Sequence, residues 1–185
     1  MTRHTFFIGF VVAVAAFVGI APSLRAQGTG SGLTSQVQSV IENAEKEVAE
    51  ARVAIEKGRE LIARIPEDSP LMPDVAQVIQ AASENWQIAV DSLRGAKESA
   101  EKIYGSSNEA VSSDYALLAR VNAGVALSGA KVVQIAMTYV EAIADNKSES
   151  LDIIRTALQD SLAASSQVQF NYERVKSLIA QKYAN

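Results

Sequence analysis

Apolar and small residues recur along most of this chain at alternating spacings of four and three residues. Four such series run from Val37 to Ile65, from Val75 to Ile103, from Val111 to Ile143 and from Leu151 to Ile179. An average period of about 3.5 residues is typical of α-helices whose apolar seams pack together in a left-handed supercoil. The pattern therefore predicts four long helices with coiled-coil-like packing.

Short breaks separate the four series. Prolines cluster between Ile65 and Asp74, and Gly105 suits the end of the second helix. Ser106 with Glu109 predicts a capping box for the third helix. Either Asn146 or Ser148 is expected to cap the fourth.

Because the connections are short, neighbouring helices should run antiparallel. The fold class expected is all-α, an up-down-up-down four-helix bundle over residues 33–185. Its helices are placed at approximately residues 34–65, 70–104, 108–144 and 148–182.

Antiparallel pairing of the four series places Ala51, Trp86, Gly129 and Ser165 at one level. A glycine inside a helix costs about 1 kcal/mol relative to alanine. The expected reason for Gly129 is that the only tryptophan needs the volume, as close packing requires. Gly124 falls off the seam, and close approach of a neighbouring helix is the only explanation the pattern offers.

Two layers away, buried Asn122 is expected to hydrogen-bond the hydroxyl of Tyr172, since a buried amide needs a partner. These layers also support an alternative function. Helix bundles bind small molecules between their helices, so the chain would be a carrier or sensor with an internal apolar site. That site would be lined by Trp86, Asn122, Gly129, Ser161, Ser165 and Tyr172.

The third predicted helix is apolar well beyond its seam. Between Tyr115 and Val140 its only charges are Arg120 and Lys131. Such a helix is either the most buried of the four or carries an additional contact surface. The second alternative predicts self-association or a protein partner through Ala119, Ala126, Val133, Met137 and Val140. A second membrane span is not expected, because polar side chains interrupt the helix.

The first 26 residues combine a basic start, an apolar run from Thr5 to Ala21 and small residues around Ala26. This is the pattern of a cleaved secretory signal peptide, with retention as an anchor as the alternative. Residues 27–32 are expected to form a flexible leader. Loss of Arg3 and Arg25 leaves 15 of 17 basic side chains against 21 acidic ones, a net charge of −6.

Composition narrows the function further. An acidic chain does not favour nucleic acid or, after signal cleavage, a membrane as partner. The chain has no cysteine, and its single histidine, His4, lies in the signal segment. Thiolate and Ser-His-Asp catalysis, haem attachment and the usual zinc sites are therefore not expected. Acidic pairs such as Glu47 with Glu50 should be solvated, with ordinary acidity. The expected function is that of a non-enzymatic exported protein, periplasmic or secreted and without cofactor or metal, that binds another protein or itself.

Overall fold

The computed structural model describes residues 30–184, which form four long α-helices and no strand. They are α1 (Gly30–Ile62), α2 (Met72–Tyr104), α3 (Glu109–Ala144) and α4 (Ser148–Tyr183). The all-α fold with four mutually packed helices is therefore confirmed. The expected signal peptide and the first half of the expected leader lie outside the described residues.

The helix ends differ from the expected ones in ways that local chemistry explains. Helix α1 begins at Gly30, inside the range expected for the leader, and ends at Ile62 before the proline-rich turn. Gly105 caps α2 as expected. Asn108, rather than a Ser106 capping box, caps α3, because its carboxamide oxygen accepts from the Ala110 amide at 3.0 Å.

The start of α4 also departs from the prediction. Neither Asn146 nor Ser148 caps it. Lys147 occupies the cap position, and its side chain makes no capping hydrogen bond to the helix, because its ammonium group donates to Asp145 at 2.8 Å instead. Asn146 instead makes the turn with a positive φ of 55°, a conformation that asparagine tolerates better than most residues.

Helix α3 is the centre of the arrangement. It packs extensively against each of the other three helices, whereas α1 and α2 share a smaller contact and α4 barely approaches either of them. Its small, uncharged side chains allow this position, because they let three helices approach one backbone closely. The bundle is therefore not closed into a ring, and among residues 30–184 the side of α3 between α1 and α4 carries the exposed Leu117 and Thr138.

Helix α3 is also, by length and composition, the one helix among residues 30–184 that could cross a membrane. The other helices bury 56% of its most apolar window. Such burial is typical of the core helix of a soluble bundle.

Helix α4 is the least covered of the four. Its buried residues are Ile154, Leu158 and Ser165, all in the N-terminal half. In the C-terminal half, Phe170 is 64% and Leu178 57% exposed. The expected apolar seam continues there only as partly covered side chains.

Candidate functional site

The apolar flank of α3 lies inside the chain. All five residues expected to form a partner surface are buried, at 0 to 7% exposure: Ala119, Ala126, Val133, Met137 and Val140. They pack in the core where α1 and α2 lie against α3. This corrects the expected location of an interface. The two alternatives for this helix were deep burial and an additional contact surface, and at these positions the structure shows deep burial.

Gly129 is required by the backbone of α2 and not by Trp86. A Cβ at Gly129 would stand 2.7 Å from the carbonyl oxygen of Asn85 and 3.1 Å from the Ala89 Cβ. Trp86 is partly buried and turns to the other side of α2, where it lines a groove beside α1. The expected pairing of Trp86 with Gly129 is therefore wrong.

Asn85 takes the core position expected for Trp86 and forms a small polar cluster. The Ser165 hydroxyl donates to the Asn85 side-chain oxygen at 3.2 Å, and the Asn85 amide donates to the Ala81 carbonyl at 2.9 Å. The Ser128 hydroxyl lies 3.4 Å from that of Ser165. These bonds join α2, α3 and α4. The side chains that make them fill the space where the internal ligand site was expected.

The remaining residues of the expected internal site are not brought together. Asn122 is buried but lies against Gly95 of α2, where a Cβ would stand 3.2 Å from the Asn122 side-chain oxygen. In the part of the chain that the structure describes, no hydrogen bond joins Asn122 to Tyr172. Tyr172 instead carries the Lys176 ammonium 5.5 Å from its ring centre, and Ser161 is half-buried.

A groove of about 340 Å³ lies between α1 and α2, with Met137 of α3 at its base. Met137 fits there because Gly58 of α1 has no side chain, and a Cβ at Gly58 would collide with the Met137 sulfur. Trp86 lines one wall. The groove is a largely apolar concavity lined by the only tryptophan of the chain. The sequence pattern predicted neither the position of the groove nor the residues at its rim.

A second exposed feature lies on the opposite side of α3, where no helix among residues 30–184 covers it. A Cβ at Gly124 would meet nothing within 4 Å among the described residues, and Leu117 is 39% exposed. Leu117, Gly124 and Ile135 share one helix face by their spacing. Together with the adjacent edge of α4 they form what we term the open face, defined by the charged Arg120 and Lys131 and by Leu117, Gly124, Ile135, Thr138, Val175 and Leu178.

Ion pairs fix the helices on both sides of the open face. On one side, Lys131 of α3 pairs with Glu47 of α1, and the Gln134 amide donates to Glu47 Oε2 at 3.0 Å. Partial burial alone would raise the pKa of the Glu47 carboxyl. The hydrogen bonds from Lys131 and Gln134 outweigh that effect, so the pKa lies below its usual value. The expectation of ordinary acidity is wrong for Glu47.

On the other side, Asp114 of α3 accepts hydrogen bonds from Lys182 and Tyr183 of α4, each at 2.6 Å. Burial raises the pKa of Asp114 less than these two bonds lower it, so its pKa is below the usual value. At the other end of α4, the Arg155 guanidinium donates to the Tyr139 hydroxyl at 2.8 Å and to Asp74 at 2.7 Å. These contacts fix the level of α4 along α3.

Within residues 30–184, no group of three or more histidine, cysteine, aspartate or glutamate side chains is placed to hold a metal ion. No family model, curated protein or solved structure matches the chain. The two candidate functional sites are the groove beside Trp86 and the open face of α3 and α4.

Proposed function

We propose that this chain is a non-enzymatic exported protein that acts by self-association through the open face. The single observation that carries the proposal is the position of α3, which is packed by helices on three sides and is covered on the fourth by none of residues 30–184. A second copy of the chain is the occupant, and α3 remains the helix through which the protein associates.

The composition of the open face supports a protein occupant. Leu117 and Leu178 lie at one level, because the nearby pair of Asp114 with Lys182 sets the register of α3 against α4. Both leucines are substantially exposed, at 39% and 57%. The partly exposed Ile135 and Val175 add apolar surface, whose removal from water is favourable by about 25 cal/mol per Å².

Gly124 favours a second copy over an unrelated protein. A glycine in a helix interior costs about 1 kcal/mol relative to alanine, and no contact among the described residues uses the space at Gly124. Glycine lets two helix backbones cross closely. In a twofold-symmetric dimer both partners use the same surface, so Gly124 of each chain would leave room for the α3 backbone of the other where the two helices cross.

Two finer features belong to the same proposal. The alternation of four- and three-residue spacings supports a left-handed supercoil of the helices. The basic start and apolar run before Ala26 support export through a cleaved signal peptide, with the protein periplasmic or secreted. N-terminal sequencing of the exported protein should read Gln27 first. Retention of the first 26 residues would contradict cleavage without bearing on self-association.

Sedimentation equilibrium over a wide concentration range tests the proposal. The protein with residues 1–26 removed should sediment as a dimer that dissociates on dilution. The substitution Leu117→Glu should weaken association at least about tenfold, because it places a carboxylate in an apolar contact. Leu178→Glu should do the same. Both side chains are exposed in the monomer, so both variants should keep the helical circular dichroism of the parent.

Val53→Glu is the matched control, since Val53 is an apolar residue that is 64% exposed on α1, outside the open face. Its association should equal that of the parent. Monomeric behaviour of the parent at every concentration would refute self-association. A dimer that Leu117→Glu and Leu178→Glu leave intact would place the interface elsewhere and refute the open face.

A further inference from the structure

The groove beside Trp86 is a second candidate binding site, separate from the open face. Met137, at its base, follows Ile135 by two residues, which is about 200° around an α-helix. The groove and the open face therefore lie on opposite sides of α3. An event in the groove can be measured independently of association.

The walls of the groove are apolar. Ile55 and Ile62 of α1 face Ile79 and Trp86 of α2 across the Met137 side chain. All four are partly buried around the core. The volume of about 340 Å³ is at the lower end of the range of small-molecule sites. A single aromatic ring system or a short acyl chain fits such a space better than a protein helix does.

The rim is basic on its α1 side. Arg52 and Arg59 border the groove together with Glu56. Arg52 Nε pairs with Glu56 Oε1 at 3.2 Å, which neutralises that arginine. Arg59 makes no ion pair with any residue in the range 30–184, so one positive charge on the rim is left without a carboxylate. This charge is notable in an acidic protein.

We infer that the groove binds a small amphiphilic monoanion, a molecule with a short acyl or aryl body and one carboxylate. The body would lie against Trp86, Ile79 and Met137, and the carboxylate would pair with Arg59. A planar guanidinium suits a carboxylate, because it donates two parallel hydrogen bonds. The inference does not depend on the proposed self-association.

Trp86 provides the measurement, because it is the only tryptophan in the chain. Decanoate is the probe, and decan-1-ol has the same chain length without the charge. Titration with decanoate below its micelle-forming concentration should shift the Trp86 emission to shorter wavelength in a saturable way. Decan-1-ol should bind about threefold to fivefold more weakly, which is the contribution expected of one exposed ion pair.

Variants separate the charge from the apolar body. Arg59→Gln should weaken decanoate to the affinity of decan-1-ol and leave the alcohol unchanged. Ser83→Phe should weaken both probes, because the exposed Ser83 borders the groove and a phenyl ring would occupy it. Arg174→Gln is the matched control, since Arg174 is an exposed arginine of α4 far from the groove. It should leave both affinities unchanged.

The inference is overturned if neither probe changes the Trp86 emission, or if the alcohol binds as tightly as the acid. Equal effects of Arg59→Gln and Arg174→Gln would refute the assigned carboxylate partner. Sedimentation equilibrium of Arg59→Gln and Ser83→Phe distinguishes ligand binding in the groove from self-association through the open face. Both variants should associate as the parent does, whether or not they bind the probes.

Discussion

The two helix-interior glycines of α3 should respond in opposite directions to the same substitution. Replacing glycine by alanine in a helix gains about 1 kcal/mol when the methyl group meets no obstacle. Gly124 meets that condition, because a Cβ there has nothing within 4 Å among the described residues. Gly124→Ala should therefore stabilise the monomer by about 1 kcal/mol.

At Gly129 the methyl group would stand 2.7 Å from the Asn85 carbonyl oxygen, well inside the 3.4–4 Å of ordinary contact. The obstacle is backbone, so α2 and α3 must move apart along an interface of alanines. Such overpacking costs about 1–3 kcal/mol, which outweighs the gain in helix propensity. Gly129→Ala should destabilise the chain by about 1 kcal/mol, and the two variants should differ by about 2 kcal/mol.

Urea denaturation followed by circular dichroism at 222 nm measures both changes. Dilute protein is needed, with a midpoint independent of concentration, so that association does not add to the stability of either variant. An unchanged slope of free energy against urea would show that the midpoint shift reports stability. Stabilisation of Gly129→Ala to the same extent as Gly124→Ala would refute the close approach of α2 to α3.

Further substitutions test the polar contacts. Ser165→Ala should cost about 1–2 kcal/mol in urea denaturation, because the buried Asn85 oxygen loses its donor, whereas Ser161→Ala should change stability by less than about 0.5 kcal/mol. Tyr139→Phe should cost about 1 kcal/mol, through loss of the hydroxyl that Arg155 and Asp74 share. Glu47 stabilises the fold above its unfolded pKa, near 4.5, and this contribution is lost as the pH falls through the lower folded pKa. The stability advantage of the parent over Glu47→Gln should therefore be largest at neutral pH and shrink below about pH 4.5; an advantage that stays constant to pH 3 would contradict the lowered pKa.

The sequence specifies the helices well because each carries a long periodic seam and a local signal at its end. Gly105 ends α2 by this logic. The caps are less predictable, since Ser106, Asn108 and Glu109 compete within a few residues. Which of these residues caps α3 depends on the path that the turn between α2 and α3 takes across the end of the bundle.

The phase of α2 shows where periodicity stops being decisive. Its buried positions include Val78 and Asn85, one residue before the expected Ile79 and Trp86. Both phases fit the spacing, and hydrophobicity favours tryptophan over asparagine in the core. The contacts with the neighbouring helices nevertheless place Asn85 in the core. Its side chain accepts a hydrogen bond from Ser165 on α4, and Gly129 leaves room for the α2 backbone.

The candidate sites could be predicted only in part. The unusual character of α3 is visible in its sequence, and so is the alternative that it is the most buried helix. The side on which it stays open depends on α1 and α4 failing to meet, and no local pattern specifies that. The groove depends likewise on the rotation of α2 that turns Trp86 outward.

Native mass spectrometry of the protein recovered from an exporting cell tests self-association through the open face most directly, when the parent and Leu117→Glu are compared at equal concentration. Self-association predicts that the parent is detected as a complex of two chains, each beginning at Gln27, and that the variant is detected as a single chain. A parent that remains a single chain, or a variant that remains paired, would contradict it.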